Sequence, residues 1–311
     1  MKNKIVRIGT RGSKLALIQA EKVKNVLKEK FFDLDFELVI IKTRGDKILS
    51  LPLSSINDKG LFTRDLEKAL IKKEIDVAVH SLKDLPTEFP EGLFLGGVLK
   101  RGEVRDVIIS KDNRKLEELT GSDVIGTSSL RRKALLLHCK KGLSIINIRG
   151  NVDTRLRKMD EGYCDVLILA GAGIERTGYR EKITEYIDPE IIMPSVCQGI
   201  IGIENRIGDD FTSAILKQIN HENTFISASA ERTFLKVIEG GCQVPCGCIS
   251  SIRNTTFSIK GLISDLDGEE IIKKSLSGPV EKADEMAEGL AALILNAGGR
   301  KILADIRGRD A

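Results

Sequence analysis

Short apolar runs alternate with amphipathic stretches along most of this chain, and each pair is joined by a polar junction. Ile5 to Ile8 reads as a strand, Ser13 can cap a helix carrying Leu15, Ile18, Val23, Val26 and Leu27, and Phe36 to Ile41 reads as the next strand. A second helix is expected around Phe62 to Lys72, leading to a short buried strand, Val77 to Val79, and the polar exit HSLKDLP. The middle third repeats this order. Strand Val124 to Gly126, a helix from Ser128 or Ser129, strand Ile145 to Ile148, a helix from Asn151 and strand Val166 to Leu169 follow one another. Such an order predicts open α/β sheets, in which ligands bind where strands end.

The junctions themselves are charged or polar. GTSSLRRK, IRGNVDTRLRK and AGAGIERTG supply hydroxyls, backbone donors at helix starts, and Arg131, Arg132, Arg149, Arg155 and Arg176. Arginine forks and helix N-termini both suit carboxylates or phosphates, so an anion site at the strand ends stands beside the reading of solvated surface charges.

From about residue 220 the texture changes. A helix over Ile226 to Ile238 puts Ala230, Phe234, Val237 and Ile238 on one face, and Gly240 and Gly241 stop it. Three strand-like runs follow, Cys248 to Ile252, Phe257 to Ile263 and Ile271 to Leu276, the last two joined by a DG turn, and then an amphipathic helix near Val280 to Leu295. The expected organisation is two α/β lobes with a small α+β domain after them. Residues 1–99 with 200–219 form the first lobe, 100–199 the second, and 220–311 the third domain.

The segment EGGCQVPCGC places Cys242 in a loop after two glycines, where a thiol is open to a bulky partner; the competing reading is a small hydrophobe in a turn. Cys242, Cys246 and Cys248 are spaced C-x3-C-x-C, and His80, His138 and His221 add no ligand motif, so no metal is expected. The chain has 311 residues, 41% hydrophobic and 30% charged, a soluble globular composition. A net charge of +4 and 4% aromatic residues argue against nucleic acid as a partner. The N-terminus runs straight into a strand with no apolar signal core, and no run approaches a membrane span, so a cytoplasmic location with reduced cysteines is expected.

Several stretches together carry a family resemblance. IGTRGSKLALIQA, KTRGD, KGLFTRDLEKAL, VHSLKDLPTE, GTSSLRRKALL, IRGNVDTRLRK, PSVCQGIIGIE and EGGCQVPCG, in this order, are similar to porphobilinogen deaminases (hydroxymethylbilane synthases) along essentially the whole length. The resemblance implies a periplasmic-binding-protein-like pair of lobes. It implies a transferase that deaminates porphobilinogen and joins four units head to tail into a linear tetrapyrrole in porphyrin biosynthesis. It further implies a dipyrromethane cofactor in thioether linkage to Cys242, and a catalytic aspartate at Asp84. Lys83, Ser129, Arg131 and Arg132 fall on the family's cofactor contacts, and Arg11, Ser13, Arg149, Arg155 and Arg176 on its substrate contacts. A monomer that hands its product to the next enzyme of the pathway is the implied partnership.

The chemistry of these residues agrees. Porphobilinogen carries acetate and propionate arms, which arginine forks can pair bidentately. Loss of ammonia leaves an electron-poor azafulvene, which a fixed carboxylate can stabilise. Without the resemblance, Asp84 reads equally well as a helix N-cap or a salt-bridge partner of Lys83. Two alternatives remain: a non-catalytic two-lobed small-anion binding protein, and a thiol-dependent acyl transferase, the latter weakened because no histidine lies near Cys242 in sequence.

Three departures stand out. RGEVRD replaces the family's R-x-D-P-R-D pattern, which predicts a more mobile loop there. Ser55 stands where a basic residue is usual, leaving Lys59 nearby. Cys197, Cys246 and Cys248 replace small or apolar residues, which predicts side oxidation near Cys242.

Overall fold

The structure is a computed structural model that describes residues 4–43, 60, 63–238 and 244–309. Ser55, Lys59 and Cys242, part of the KTRGD stretch and the expected helix start at Phe62 lie outside the described residues. The chain divides into two compact units, Met1–Gly102 with Gly199–Phe225, and Glu103–Gln198 with Ile226–Ala311.

Strands β1 (Lys4–Thr10), β2 (Leu34–Ile40), β3 (Val77–Ser81) and β4 (Leu93–Val98) belong to the first unit. The second contributes β5 (Asp106–Ser110), β6 (Val124–Gly126), β7 (Ser144–Ile146), β8 (Val166–Ala170) and β9 (Glu185–Tyr186). The chain then returns to the first unit as β10 (Ile201–Arg206) and ends in the second with β11 (Cys246–Arg253), β12 (Thr256–Ser264) and β13 (Ile271–Pro279).

In the first unit the sheet order is β2-β1-β3-β10-β4. β1 runs parallel to β2 and β3, with Ile8 opposite Val77, whereas β10 is antiparallel to both β3 and β4. Helix α1 (Lys14–Lys28) covers one face, packing Ala20, Val23 and Leu27 against Val6, Ile8, Val77 and Val79. Helix α2 (Arg64–Ile71) covers the other, where Leu66, Ala69 and Leu70 meet Ile75 and Ala78. Successive residues of β3 therefore enter opposite layers, as the two-residue period of a strand requires.

The second unit repeats the plan in the order β7-β6-β8-β5-β9, with β6 parallel to β7 and β8 and β5 antiparallel to β8 and β9. Its helices are α3 (Leu130–Cys139), α4 (Val152–Asp160) and the short α5 (Gly171–Arg176). In the first unit, α6 (Asp210–Ile219) adds Ile215, Leu216 and Ile219 to the layer under α1. Both lobes are thus the α/β sheets expected, and a smaller α+β domain follows them.

That smaller domain is an antiparallel meander, β11-β12-β13, packed on α7 (Glu222–Ile238) and α8 (Ala283–Ile294). The DG turn expected between β12 and β13 is present, with Gly268 at φ +73°, a conformation that favours glycine. The Phe234 ring of α7 lies on β12 at Gly261, where an added Cβ would stand 2.6 Å from the ring. That close approach explains a glycine inside a strand.

β4, β5 and β10 carry no clear pattern in sequence. β10 reads IGIENR, and its Glu204 and Asn205 are buried polar residues that break an apolar run. No helix among the described residues is long and apolar enough to cross a membrane.

Phe234 is fully buried and anchors the helix that ends at Ile238, just before the Cys242 segment. Phe234→Ala should cost about 3–5 kcal/mol of stability through the cavity it leaves. Urea unfolding monitored by circular dichroism checks this, and a loss below about 1 kcal/mol would show that the ring is not the anchor.

Candidate functional site

In the first unit, β1 and β3 are parallel neighbours, so the residues that follow them share one edge of the sheet. Arg11 and Ser13 follow β1; Lys83 and Asp84 follow β3. Ser13 is the N-cap of α1, its hydroxyl accepting from the amide of Ala16 at 3.4 Å, and the buried Thr10 hydroxyl donates to the Ala16 carbonyl at 3.1 Å. Gln19, buried on α1, hydrogen-bonds the Ser81 hydroxyl at 2.9 Å and ties the helix to the end of β3. Beyond Ser81, Leu82–Asp84 forms one 3-10 turn, fixed by Leu82 N–H donating to Ile200 O at 3.0 Å and Leu85 N–H donating to Leu82 O at 3.2 Å. Asp84 closes that turn with its side chain exposed, so it does not act as a helix N-cap.

In the second unit, β7, β6 and β8 are parallel neighbours, and three polar junctions meet at their carboxyl ends. Ser129 caps α3, accepting from the Arg132 amide at 3.4 Å, and Thr127 accepts from the Ser129 amide at 3.2 Å. Arg131 and Arg132 are the next residues, and both are buried. Their guanidiniums converge on Asp106 at the start of β5. Arg131 Nη2 donates to one carboxylate oxygen at 2.8 Å and Arg132 Nη2 to the other at 2.8 Å. Gln198 Nε2 donates to Asp106 Oδ1 at 2.9 Å, Arg132 Nη1 donates to Ile168 O at 3.0 Å, and Arg131 Nη1 donates to Met193 O.

Two positive charges and one negative charge leave this cluster with a net +1. Burial alone would raise the Asp106 carboxyl, but the two guanidiniums and the Gln198 amide outweigh it and hold the group far below its usual range. Burial lowers Arg131, and the Asp106 charge opposes that shift.

At the second junction Asn151 caps α4, accepting from the Thr154 amide at 2.8 Å, and Gly150 takes φ +126°. Arg155 Nε donates to Gly150 O at 2.8 Å and Lys158 Nζ to Arg149 O at 3.2 Å. At the third, Arg176 ends α5, and burial lowers it against the raising effect of Glu175. The buried nitrogens Arg132 Nε and Arg149 Nη1 have no hydrogen-bond partner among the described residues. Unsatisfied, partly desolvated arginine donors are what a carboxylate-bearing group would satisfy, so these residues fit a dipyrromethane with its acidic side arms.

Strand β11 is pinned to the same cluster. Cys248 N–H donates to Pro194 O at 3.1 Å, while an added Cβ on Gly247 would meet Pro194 O at 3.0 Å and Met193 O at 3.1 Å. Met193 O is also the acceptor for Arg131.

Two expectations change here. The RGEVRD segment is held rather than loose: Glu103 accepts from the Arg105 amide at 2.9 Å, from its Nε at 2.8 Å and from its Nη2 at 2.6 Å, and the Arg105 guanidinium stacks 4.3 Å from the centre of the Tyr186 ring. A glutamate one carbon longer than aspartate reaches round to its own neighbour's fork. Cys197, Cys246 and Cys248 are buried, and burial pushes the Cys246 thiol up to about 12, which leaves almost no thiolate to oxidise at neutral pH. Side oxidation at these residues is therefore not favoured.

Asp106 and Gln198 were missed as site residues. The one sequence signal for Asp106 is a lone carboxylate leading the apolar run VII, an expensive place for a charge without a partner.

Comparison with known proteins agrees with this geometry. Residues 6–214 match the family model described as "Porphobilinogen deaminase, dipyromethane cofactor binding domain", and residues 225–296 match "Porphobilinogen deaminase, C-terminal domain". Porphobilinogen deaminases of Chloroherpeton thalassium and Desulforudis audaxviator are each 45% identical, over 308 and 307 residues, covering 98% and 99% of both chains; that of Pelobacter propionicus is 43% identical over 305 residues, 98% of both. Among solved structures, a TRAP periplasmic solute binding protein from Desulfovibrio salexigens has a TM-score of 0.44 at 10% identity, covering 99% of this chain and 96% of its own. The VFT2 domain of Bordetella pertussis BvgS has 0.41 at 15%, covering 72% and 92%. The class is thus a transferase of porphyrin biosynthesis built around a dipyrromethane cofactor. The chain belongs to the porphobilinogen deaminase family. The reading as a binding protein without catalysis finds no support.

Removing one partner of a buried ion pair typically costs about 3–5 kcal/mol, so Asp106→Asn should lose that much at pH 7. Because the folded carboxyl is depressed, its stabilisation is complete above the unfolded value of about 3.9 and is lost as the pH falls below it. Urea midpoints at pH 7 and pH 3 should therefore separate widely for the wild type and less for Asp106→Asn; equal pH dependence would contradict the assignment. Iodoacetamide at pH 8 should label exposed Cys139 and spare Cys164, Cys197, Cys246 and Cys248, as peptide mapping can read.

Proposed function

We propose that the chain polymerises four porphobilinogen molecules head to tail into hydroxymethylbilane, with Asp84 as the catalytic carboxylate and Cys242 as the thioether anchor of the dipyrromethane. The observation that carries this reading is the set of strand-end arginines in the second unit, with net positive charge and unsatisfied donors at Arg132 Nε and Arg149 Nη1. Cys242 lies four residues before Cys246 in sequence, and Cys246 begins the strand whose Cys248 amide donates to Pro194 O.

When bound, the dipyrromethane supplies a terminal pyrrole carbon from which the product grows. Lys83, Ser129, Arg131 and Arg132 hold its carboxylates, the arginines already oriented by Asp106. Arg11, Ser13, Arg149, Arg155 and Arg176 receive the acetate and propionate arms of incoming substrate. A planar guanidinium takes both oxygens of a carboxylate, which a lysine ammonium cannot do with the same geometry. Asp84 is exposed on a short fixed turn, from which its carboxylate would stabilise positive charge as ammonia leaves and would then accept the proton released on condensation. The protein works as a cytoplasmic monomer that hands its product to the next enzyme of the pathway.

Intact mass after denaturation should show two linked pyrrole units retained by the wild type and absent from Cys242→Ser; peptide mapping that placed the addition on Cys246 or Cys248 would refute the anchor. Asp84→Asn keeps size and hydrogen bonding but loses charge, and should reduce single-turnover condensation by about two to three powers of ten. Asp84→Glu should fall less. Near-normal condensation by the cofactor-loaded amide would remove Asp84 from the chemistry.

A further inference from the structure

The layer between the first unit's sheet and α2 is apolar, lined by Leu66, Ala69, Leu70, Ile75, Ala78 and Leu93. Three titratable side chains nevertheless enter it. His80, the fourth residue of β3, and Glu204 of β10 are buried, with His80 Nε2 3.2 Å from Glu204 Oε2. Gly202 is the cross-strand partner of His80 and Glu204 that of Ala78, so the two side chains are diagonal neighbours on one sheet face. Glu67 of α2 is the third, also buried.

Neither carboxylate oxygen of Glu204 has a hydrogen-bond partner among the described residues, and the His80 imidazole is the group that stands at ion-pair distance. A carboxylate with no exposure is costly without a counter-charge or a hydrogen bond, and the imidazole stands where it can supply one. Burial raises the Glu67 carboxyl, against the lowering effect of Thr63 and with the neighbouring Glu204 adding to the rise.

Such a pair is a costly way to join two strands that backbone hydrogen bonds already join. Its place explains it. His80 is followed by Ser81 and then by the 3-10 turn that ends at Asp84. On the α1 face, Ser81 is held by Gln19; on the α2 face, His80 is held by Glu204. The last two residues of β3 are therefore gripped from opposite sides of the sheet, immediately before the turn.

We propose that the buried His80–Glu204 pair is a positioning element that fixes the end of β3 and so the aim of the Asp84 carboxylate. The proposal rests on the reading of Asp84 as the catalytic carboxylate. His80 and Glu204 act through that turn and touch no substrate.

The test uses cofactor-loaded protein in four forms: wild type, His80→Asn with Glu204→Gln, Asp84→Asn, and all three substitutions together. Replacing both members of the pair leaves no charge buried alone. Cofactor content by intact mass and the thermal midpoint are read first, then kcat per loaded site and KM for porphobilinogen well below that midpoint. The pair variant should keep its cofactor and a KM within about twofold, while kcat falls about ten- to a hundredfold, the effect of a catalytic group displaced by roughly 1 Å. On the Asp84→Asn background the same pair should cost nothing further, because residues acting through one group are not additive.

An unchanged kcat in the pair variant, or an equal further loss on the Asp84→Asn background, overturns the proposal. If the pair variant fails to fold, Glu204→Asp, which keeps the charge and shortens its reach, is put through the same comparison under the same criteria. Normal turnover by Asp84→Asn would sink the Asp84 reading and this proposal together; a crippled Asp84→Asn beside a normal pair variant sinks the proposal alone.

Discussion

Two arginines at consecutive positions of a helix's first turn repel each other, and burying both would ordinarily be prohibitive. Asp106 makes it possible. One oxygen of its carboxylate takes Arg131 and the other takes Arg132, so each guanidinium is oriented as well as neutralised in part. The surplus positive charge cannot be screened by solvent inside the protein and is directed at whatever anion reaches the strand ends. Several features follow from that interaction. Gln198 donates to the same carboxylate, Ile168 O and Met193 O each accept from one arginine, and β11 of the smaller domain docks on the Met193–Pro194 carbonyls. The smaller domain and the arginine pair of the second lobe therefore share one buried scaffold.

The two lobes use the same architecture for opposite electrostatic purposes. In the second unit, positive groups are buried or half-buried and fixed by acceptors, which suits them to receive carboxylates without reorganising. In the first unit, the carboxylate of Asp84, proposed as the catalytic group, is exposed on a three-residue turn, and it is the strand beneath it that is tied down. A receiving group gains from desolvation because its partner brings the countercharge. A carboxylate that must remain ionised beside changing substrates gains from staying in a wetter place, with rigidity supplied from below.

Much of this was legible in the sequence, and what was not has a physical cause. The β-α-β order, the caps at Ser13, Ser129 and Asn151, and the DG turn at Gly268 all express local rules, and each appears where those rules place it. β10 was hidden because Glu204 and Asn205 sit in a strand that pairs on both sides, so its polar residues are buried by partners distant in the chain. Asp106 was hidden for the same reason: its partners lie 25, 26 and 92 residues away. The looseness expected of RGEVRD came from comparing residue types one by one. Glu103 and Arg105, two positions apart, form the contact that such a comparison overlooks.

The cysteines show how environment, more than residue type, assigns chemistry. Cys246 and Cys248 belong to the same short segment as Cys242, yet they are buried in β11, and burial pushes the Cys246 thiol up to about 12. The Arg131 charge close to Cys246 pulls in the other direction and is overwhelmed. Proximity to a guanidinium is thus insufficient to activate a thiol that is cut off from water, since the thiolate's lost hydration outweighs one partly neutralised neighbour. A thiol that is to be alkylated, as proposed for Cys242, gains from an open setting while the strand after it stays close to the arginines. The sequence meets both demands by placing Gly240 and Gly241 before Cys242 and the pinned residues Cys246 to Cys248 after it.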